Sequence, residues 1–147
     1  MDIRSICNED MICLNLDVSS KDDAINKMAN MFTMEQVTSA KEFIKSIYER
    51  EEEMTTGVGN GIALPHGKSI GVKKAGIAIA KFTKPIEWES LDDLPVEIAF
   101  MIAVPMEEAS TTHLKILTQI ASRLSDTKEV EAIKSMETKK QILDFFA

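Results

Sequence analysis

Cysteine is scarce in this chain of 147 residues: its two thiols, Cys7 and Cys13, stand in no CxxC or zinc-ligand spacing. A disulfide framework and a zinc ribbon are therefore not expected. With no charged-then-apolar leader at the start of the sequence, the same scarcity points to a reducing cytoplasm. Long hydrophobic runs are missing as well. The longest uncharged apolar stretch, Ile98 to Met106, falls far short of the roughly 20 residues that a membrane helix needs, so direct membrane insertion is not expected. Positive charge is in deficit, with 17 Lys and Arg against 24 Asp and Glu and a formal net charge of −7. That balance opposes nucleic-acid binding and unspecific attachment to anionic lipid, both of which depend on clustered cations. Repeats, low-complexity tracts and linker-like segments are absent too. Residues 1–147 read as one domain, of a size that buries about two-thirds of the surface of the unfolded chain.

What is present is an α/β pattern. Ile12, Leu14 and Leu16 alternate with less apolar neighbours, the period of a half-buried strand. Ser20 with Asp23 and Ser39 with Glu42 read as caps opening two helices, the first with Ile25, Met28, Ala29 and Phe32 on one face, the second with Phe43, Ile44, Ile47 and Tyr48. Arg50 falls near the end of that second helix, where the dipole favours a cation. Gly76 to Phe82 and Val96 to Val104 read as strands, the latter apolar enough to be covered on both faces. Pro85 and Pro95 flank a polar connection that holds Trp88, Asp92 and Asp93. From Ser110 onward three helices are expected, with a Leu114, Leu117, Ala121 and Leu124 stripe on the first and caps at Asp126 and Thr138 for the others. The sum is a central sheet flanked by helices.

The stretch Gly57-Val58-Gly59-Asn60-Gly61-Ile62-Ala63-Leu64-Pro65-His66-Gly67 sets a histidine between a glycine loop and a stiffened backbone. Two nucleotide readings fail by one residue. A Walker loop ending in Gly67-Lys68-Ser69 and a dinucleotide fingerprint starting at Gly57 would each need glycine at position 62, which is Ile62. A largely neutral imidazole near pH 7 offers a nucleophilic nitrogen and is suited to carrying a phosphoryl group, so His66 is the candidate nucleophile. Phosphoryl transfer needs charge stabilisation on three equatorial oxygens more than it needs an acid or base. Arg50, with a planar fork that stays charged, is favoured over Lys68 as the cation. Backbone N–H groups at Gly57, Gly59 and Gly61 offer an oxyanion cradle, and the Thr56 hydroxyl a further donor. Pro65 fixes its own φ and biases Leu64 toward extended geometry, which helps hold His66 in one orientation at a strand end. The Glu51-Glu52-Glu53 run reads as a solvated face. A zinc site joining the two histidines through a carboxylate such as Glu51 has no diagnostic ligand spacing, so neither metal nor cofactor is expected.

The ordered set of Arg50-Glu51, the loop from Thr56 to Gly61, Ile62-Ala63-Leu64-Pro65-His66, the apolar strand ending at Val104-Pro105 and the later His113-Leu114 resembles the IIA phosphocarrier domain of the fructose and mannitol branch of the bacterial sugar phosphotransferase system. The resemblance covers nearly the whole chain. It implies a mixed sheet, and a phosphotransferase component in which His66 accepts a phosphoryl group from the phosphohistidine of the small carrier HPr and passes it to a cysteine of a separate IIB component. It also implies that His113 sits beside His66; at the first turn of a helix, where a neutral imidazole is favoured, His113 would donate a hydrogen bond to phosphate. Nitrogen-type relatives look much alike, and imply the alternative of a regulatory protein in which the phosphorylation state of His66 controls binding to other proteins. The sugar leaves no mark on these residues, because a IIA domain does not touch it.

Overall fold

The computed structural model describes residues 3–108 and 112–146, with only the backbone described at 108 and 112–114. Strand β1 (Ile12–Leu16) leads to α1 (Lys21–Ala29) and α2 (Ala40–Glu53); then come β2 (Gly57–Gly59), β3 (Ile62–Ala63), β4 (His66–Ser69), β5 (Gly76–Ile86), β6 (Val96–Pro105), α3 (Thr112–Leu124), α4 (Thr127–Ser135) and α5 (Lys139–Phe145). The helix starts follow the expected capping. Ser20, Ser39 and Thr138 each accept the backbone N–H three residues on, and Gln141 closes a reciprocal box at the last. Asp126 caps α4 by accepting from Lys128 rather than from Glu129.

The six strands form one mixed sheet ordered β1-β5-β6-β3-β2, with β4 also on β6. Strands β5 and β6 are antiparallel; β1 runs parallel to β5, and both β3 and β4 run parallel to β6. Every residue of β6 from Ile98 to Pro105 is buried. Because successive side chains point to opposite faces, both faces of this strand are covered.

The two faces differ in side-chain size. Cross-strand partners share a face, and the pairings Gly76 with Ala103, Gly67 with Ala103 and Ala80 with Ala99 put small residues side by side across β5, β6 and β4. Helix α2 packs on β4 there. A Cβ added to Gly67 would lie 2.1 Å from Ser46 Oγ and 3.1 Å from the Ile47 nitrogen, so this approach of helix to strand requires glycine. On the other face Phe100 meets Phe146 edge-on at 5.9 Å. The helix that carries Arg50 is thus seated on the strand that carries His66.

Several elements differ from the sequence reading: α1 ends at Ala29, so Phe32 follows the helix, and β5 runs on through Pro85 to Ile86. The expected glycine loop is a β-hairpin: β2 and β3 pair antiparallel through Asn60 and Gly61, at φ 58° and 80°. An Asn-Gly pair with both residues left-handed is the turn whose twist matches a two-residue hairpin, and it was the local signal for one. On α3 the buried face is Ile116, Ile120 and Leu124. Leu117, half-buried against the core, and Ala121 also border a surface hollow, and the Leu114 side chain lies outside the described residues.

Candidate functional site

His66 opens β4 opposite Ile102 of β6. The approach to it is fixed by the backbone: Leu64 N–H donates to the Thr56 carbonyl at 2.9 Å, and Ile102 N–H to the Pro65 carbonyl at 3.0 Å. The ring is 6% exposed, and its Nδ1 lies 2.8 Å from the Leu64 carbonyl. A carbonyl can only accept, so Nδ1 carries a proton, and the neutral form of the ring has its lone pair on Nε2. The extended turn at Leu64-Pro65 therefore selects the tautomer as well as the orientation.

Two hollows meet at this ring. One, of 310 Å³, is lined by His66, Ser46, Glu49, Arg50, Glu53, Gly67, Lys68 and Met106. The other, of 240 Å³, is bounded by His66 and Arg50 together with Met54, Thr55, Thr56, Val58, Leu64, Leu91, Leu117 and Ala121. Arg50 is common to both. It extends from the last turn of α2, and its Nη1 donates to the Met54 carbonyl at 2.7 Å, which anchors one arm of the fork. Lys68 is exposed at the rim of the first hollow.

The structure brings His66, Arg50 and Thr56 together and places the glycines elsewhere. Gly57, Gly59 and Gly61 line neither hollow that contains His66. A Cβ on Gly57 would strike Ser90, on Gly59 it would press on the Asp92 carboxylate, and on Gly61 on Glu97 and Lys134. The Gly57 N–H donates to the Thr55 hydroxyl at 3.1 Å. At the hairpin tip, the Asn60 N–H donates to Asp92 at 2.9 Å. Asp92 is held below the usual carboxylate range first by that bond and then by one from Leu94. The glycines thus let the hairpin pack closely against Ser90, Asp92 and the Glu97–Lys134 ion pair.

Thr56 is 3% exposed, and its hydroxyl is committed: it donates to Glu51 and accepts from Trp88 Nε1 at 3.1 Å. It braces the loop. His113 stands in the first turn of α3, but its side chain lies outside the described residues. Sequence reasoning missed Glu51 and Trp88, which hold the loop beneath the site, and Val58 and Leu91, which wall the second hollow. Trp88, placed in a polar connection, is fully buried. No group of His, Cys, Asp and Glu among the described residues has the arrangement of a metal site, and none of the described helices is long and apolar enough to cross a membrane.

Comparison with known proteins adds a family. Residues 5–147 match the family described as "Phosphoenolpyruvate-dependent sugar phosphotransferase system, EIIA 2". The chain is 32% identical over 145 residues to the 2-O-alpha-mannosyl-D-glycerate-specific EIIABC component of Escherichia coli; the match covers 97% of the chain and 22% of that relative, so the chain spans about a fifth of its length. It is 31% identical over 147 residues to the fructose-specific EIIA component of Haloferax volcanii, covering 99% of the chain and 95% of that protein. Among solved structures, the nitrogen regulatory protein IIA-Ntr of Neisseria meningitidis superposes with a TM-score of 0.92 at 27% identity, over 99% of each chain.

Proposed function

The chain belongs to the EIIA 2 family of the phosphoenolpyruvate-dependent sugar phosphotransferase system, and on that premise we propose that it is a phosphocarrier that accepts a phosphoryl group from phospho-HPr on His66. The observation that carries this reading is the 2.8 Å contact between Nδ1 and the Leu64 carbonyl, in a ring that shares both its hollows with Arg50. The Nε2 lone pair attacks phosphorus as the N–P bond of the donor phosphohistidine breaks, and the electron pair of that bond returns to the donor ring. Positive charge that develops on the His66 ring is eased by the N–H donated to Leu64. Charge on the transferring oxygens meets the unanchored arm of the Arg50 fork, with Lys68 as a second cation at the rim. His113, from the first turn of α3, supplies a further donor.

The onward step is attack by a cysteine thiolate of a IIB component, in which an S–P bond forms and the electron pair of the P–Nε2 bond returns to His66. The apolar hollow walled by Met54, Val58, Leu91 and Leu117 is the surface on which donor and acceptor dock in turn. Docking there is brief, as a carrier requires. A second reading is favoured by the likeness to the nitrogen regulatory protein: phosphorylation of His66 then controls binding to another protein instead of feeding a transporter.

The test is incubation with phosphoenolpyruvate, enzyme I and HPr, followed by intact mass and acid treatment. An acid-labile gain of one phosphoryl group that disappears in His66→Ala is expected. Labelling that persists in that variant moves the acceptor elsewhere. Subsequent transfer to a purified IIB component separates the transport reading from the regulatory one.

A further inference from the structure

The second half of the Arg50-Glu51 pair has no part in the reaction described above. Neighbours on a helix point about 100° apart, so while Arg50 lines the His66 hollows, Glu51 turns into the body of the protein, where its side chain is 6% exposed. A carboxylate buried to that degree is costly unless its oxygens are fully used. Here they are: Oε1 accepts the Thr56 hydroxyl, and Oε2 accepts the Thr56 N–H at 3.3 Å and pairs with Lys21 Nζ at 2.8 Å. The brace continues into Trp88, whose Nε1 donates to Thr56 Oγ1 and whose carbonyl accepts the Thr55 hydroxyl at 3.2 Å. Lys21 lies 5.5 Å from the centroid of the same indole.

We propose that Glu51 is a positioning residue for phosphoryl transfer, acting through Thr56 and Met54 on the guanidinium of Arg50. Met54 ends α2 in extended conformation, at φ −172°, so helical geometry stops between Glu51 and Thr56. The two bonds that Thr56 donates to Glu51 tie the chain after Met54 back to the last turn of α2. They thereby fix the Met54 carbonyl, which accepts from Arg50 Nη1 at 2.7 Å. Without the tie, the carbonyl that orients the fork moves with the loose chain end. The inference rests on the phosphocarrier reading, because it gives Arg50 a transition-state charge to meet.

The test is a double-mutant cycle on transfer from phospho-HPr, with kcat and KM resolved. Arg50→Ala is expected to lower kcat about 100-fold. Glu51→Gln, in which an amide N–H₂ replaces one of the two accepting oxygens and the charge opposite Lys21 is lost, is expected to lower kcat about 10-fold with KM within twofold. If Glu51 works through Arg50, the double variant loses no more than Arg50→Ala alone. Losses that multiply, a Glu51→Gln rate within twofold of the unmodified protein, or an effect confined to KM would each overturn the proposal. Should Glu51→Gln fail to fold, Thr56→Val takes its place in the same cycle, with Thr56→Ser expected to restore most of the loss. An unmodified protein that takes no phosphoryl group defeats the phosphocarrier reading itself, whereas a labelled one with multiplying losses defeats only the part given to Glu51.

Discussion

The two hollows that meet at His66 are built from opposite materials. The one beneath α2 is lined by Glu49, Arg50, Glu53 and Lys68, charges of both signs within reach of the ring. The one toward α3 is walled by Met54, Val58, Leu64, Leu91 and Leu117, and three of these are largely exposed, at 57% for Met54, 47% for Val58 and 63% for Leu91. A reaction that moves a doubly charged group needs the first kind of surface, where fixed charges meet developing charge. A protein partner that must arrive and leave needs the second, where burial drives association without directional bonds. In the proposed carrier, the position of His66 and Arg50 on the boundary separates chemistry from docking, and substitutions on the two sides should affect different kinetic constants.

The largest effect is expected at the boundary itself: His66→Ala should remove all acid-labile phosphate while leaving the circular dichroism spectrum unchanged, and residual labelling would shift the acceptor. Next comes Arg50→Ala, for which stopped labelling time courses should show kcat reduced about 100-fold; an unaltered rate would take Arg50 out of the polar side. On the apolar side, Val58→Asp and Leu91→Asp should each raise KM for phospho-HPr about 10-fold, with a far smaller change in kcat. A fall confined to kcat would erase the distinction between the hollows. Gly67→Ala tests the seating of α2, since its Cβ would meet Ser46 at 2.1 Å. Thermal or urea unfolding should show a loss of about 1–3 kcal/mol, together with slower transfer. The smallest effect is expected from Lys68→Ala at the exposed rim: about a threefold loss of rate, diminishing as salt screens the charge.

Much of the fold was legible in the sequence because local rules and tertiary demands agree. The Ser20, Ser39 and Thr138 caps begin helices where the side-chain oxygens predict, and the continuous apolar run of β6 is buried on both faces as its composition requires. The hairpin of β2 and β3 was missed because repeated glycines suggested a loop, although Asn60-Gly61 carried the signal of a tight turn. The strand that His66 begins was expected only as a strand end, for another reason. His66 to Ser69 has neither alternation nor β-branched content, and it is a strand only because the edge of β6 is there to pair with it.

The site divides in the same way. Residue chemistry pointed to His66 as a candidate nucleophile and to Arg50 as a candidate cation, because the ring stands beside a stiffened turn and the guanidinium fork stays charged. The resemblance of Arg50-Glu51 and Ile62 to His66 to the family set the order of these parts, and the family match bears out that recognition. What sequence could not give is direction. The tautomer of His66 depends on where the Leu64 carbonyl points, the glycines face Ser90, Asp92 and Glu97, and Trp88 lies beneath Thr56. Each of these joins segments distant in sequence, or turns a side chain to one side of a strand. The sequence by itself determined which atoms this protein can use, because pKa, charge and backbone freedom belong to residue types. Only the tertiary structure decided which of those atoms face one another, because that depends on how α2 is seated on β4 and on how the hairpin is packed.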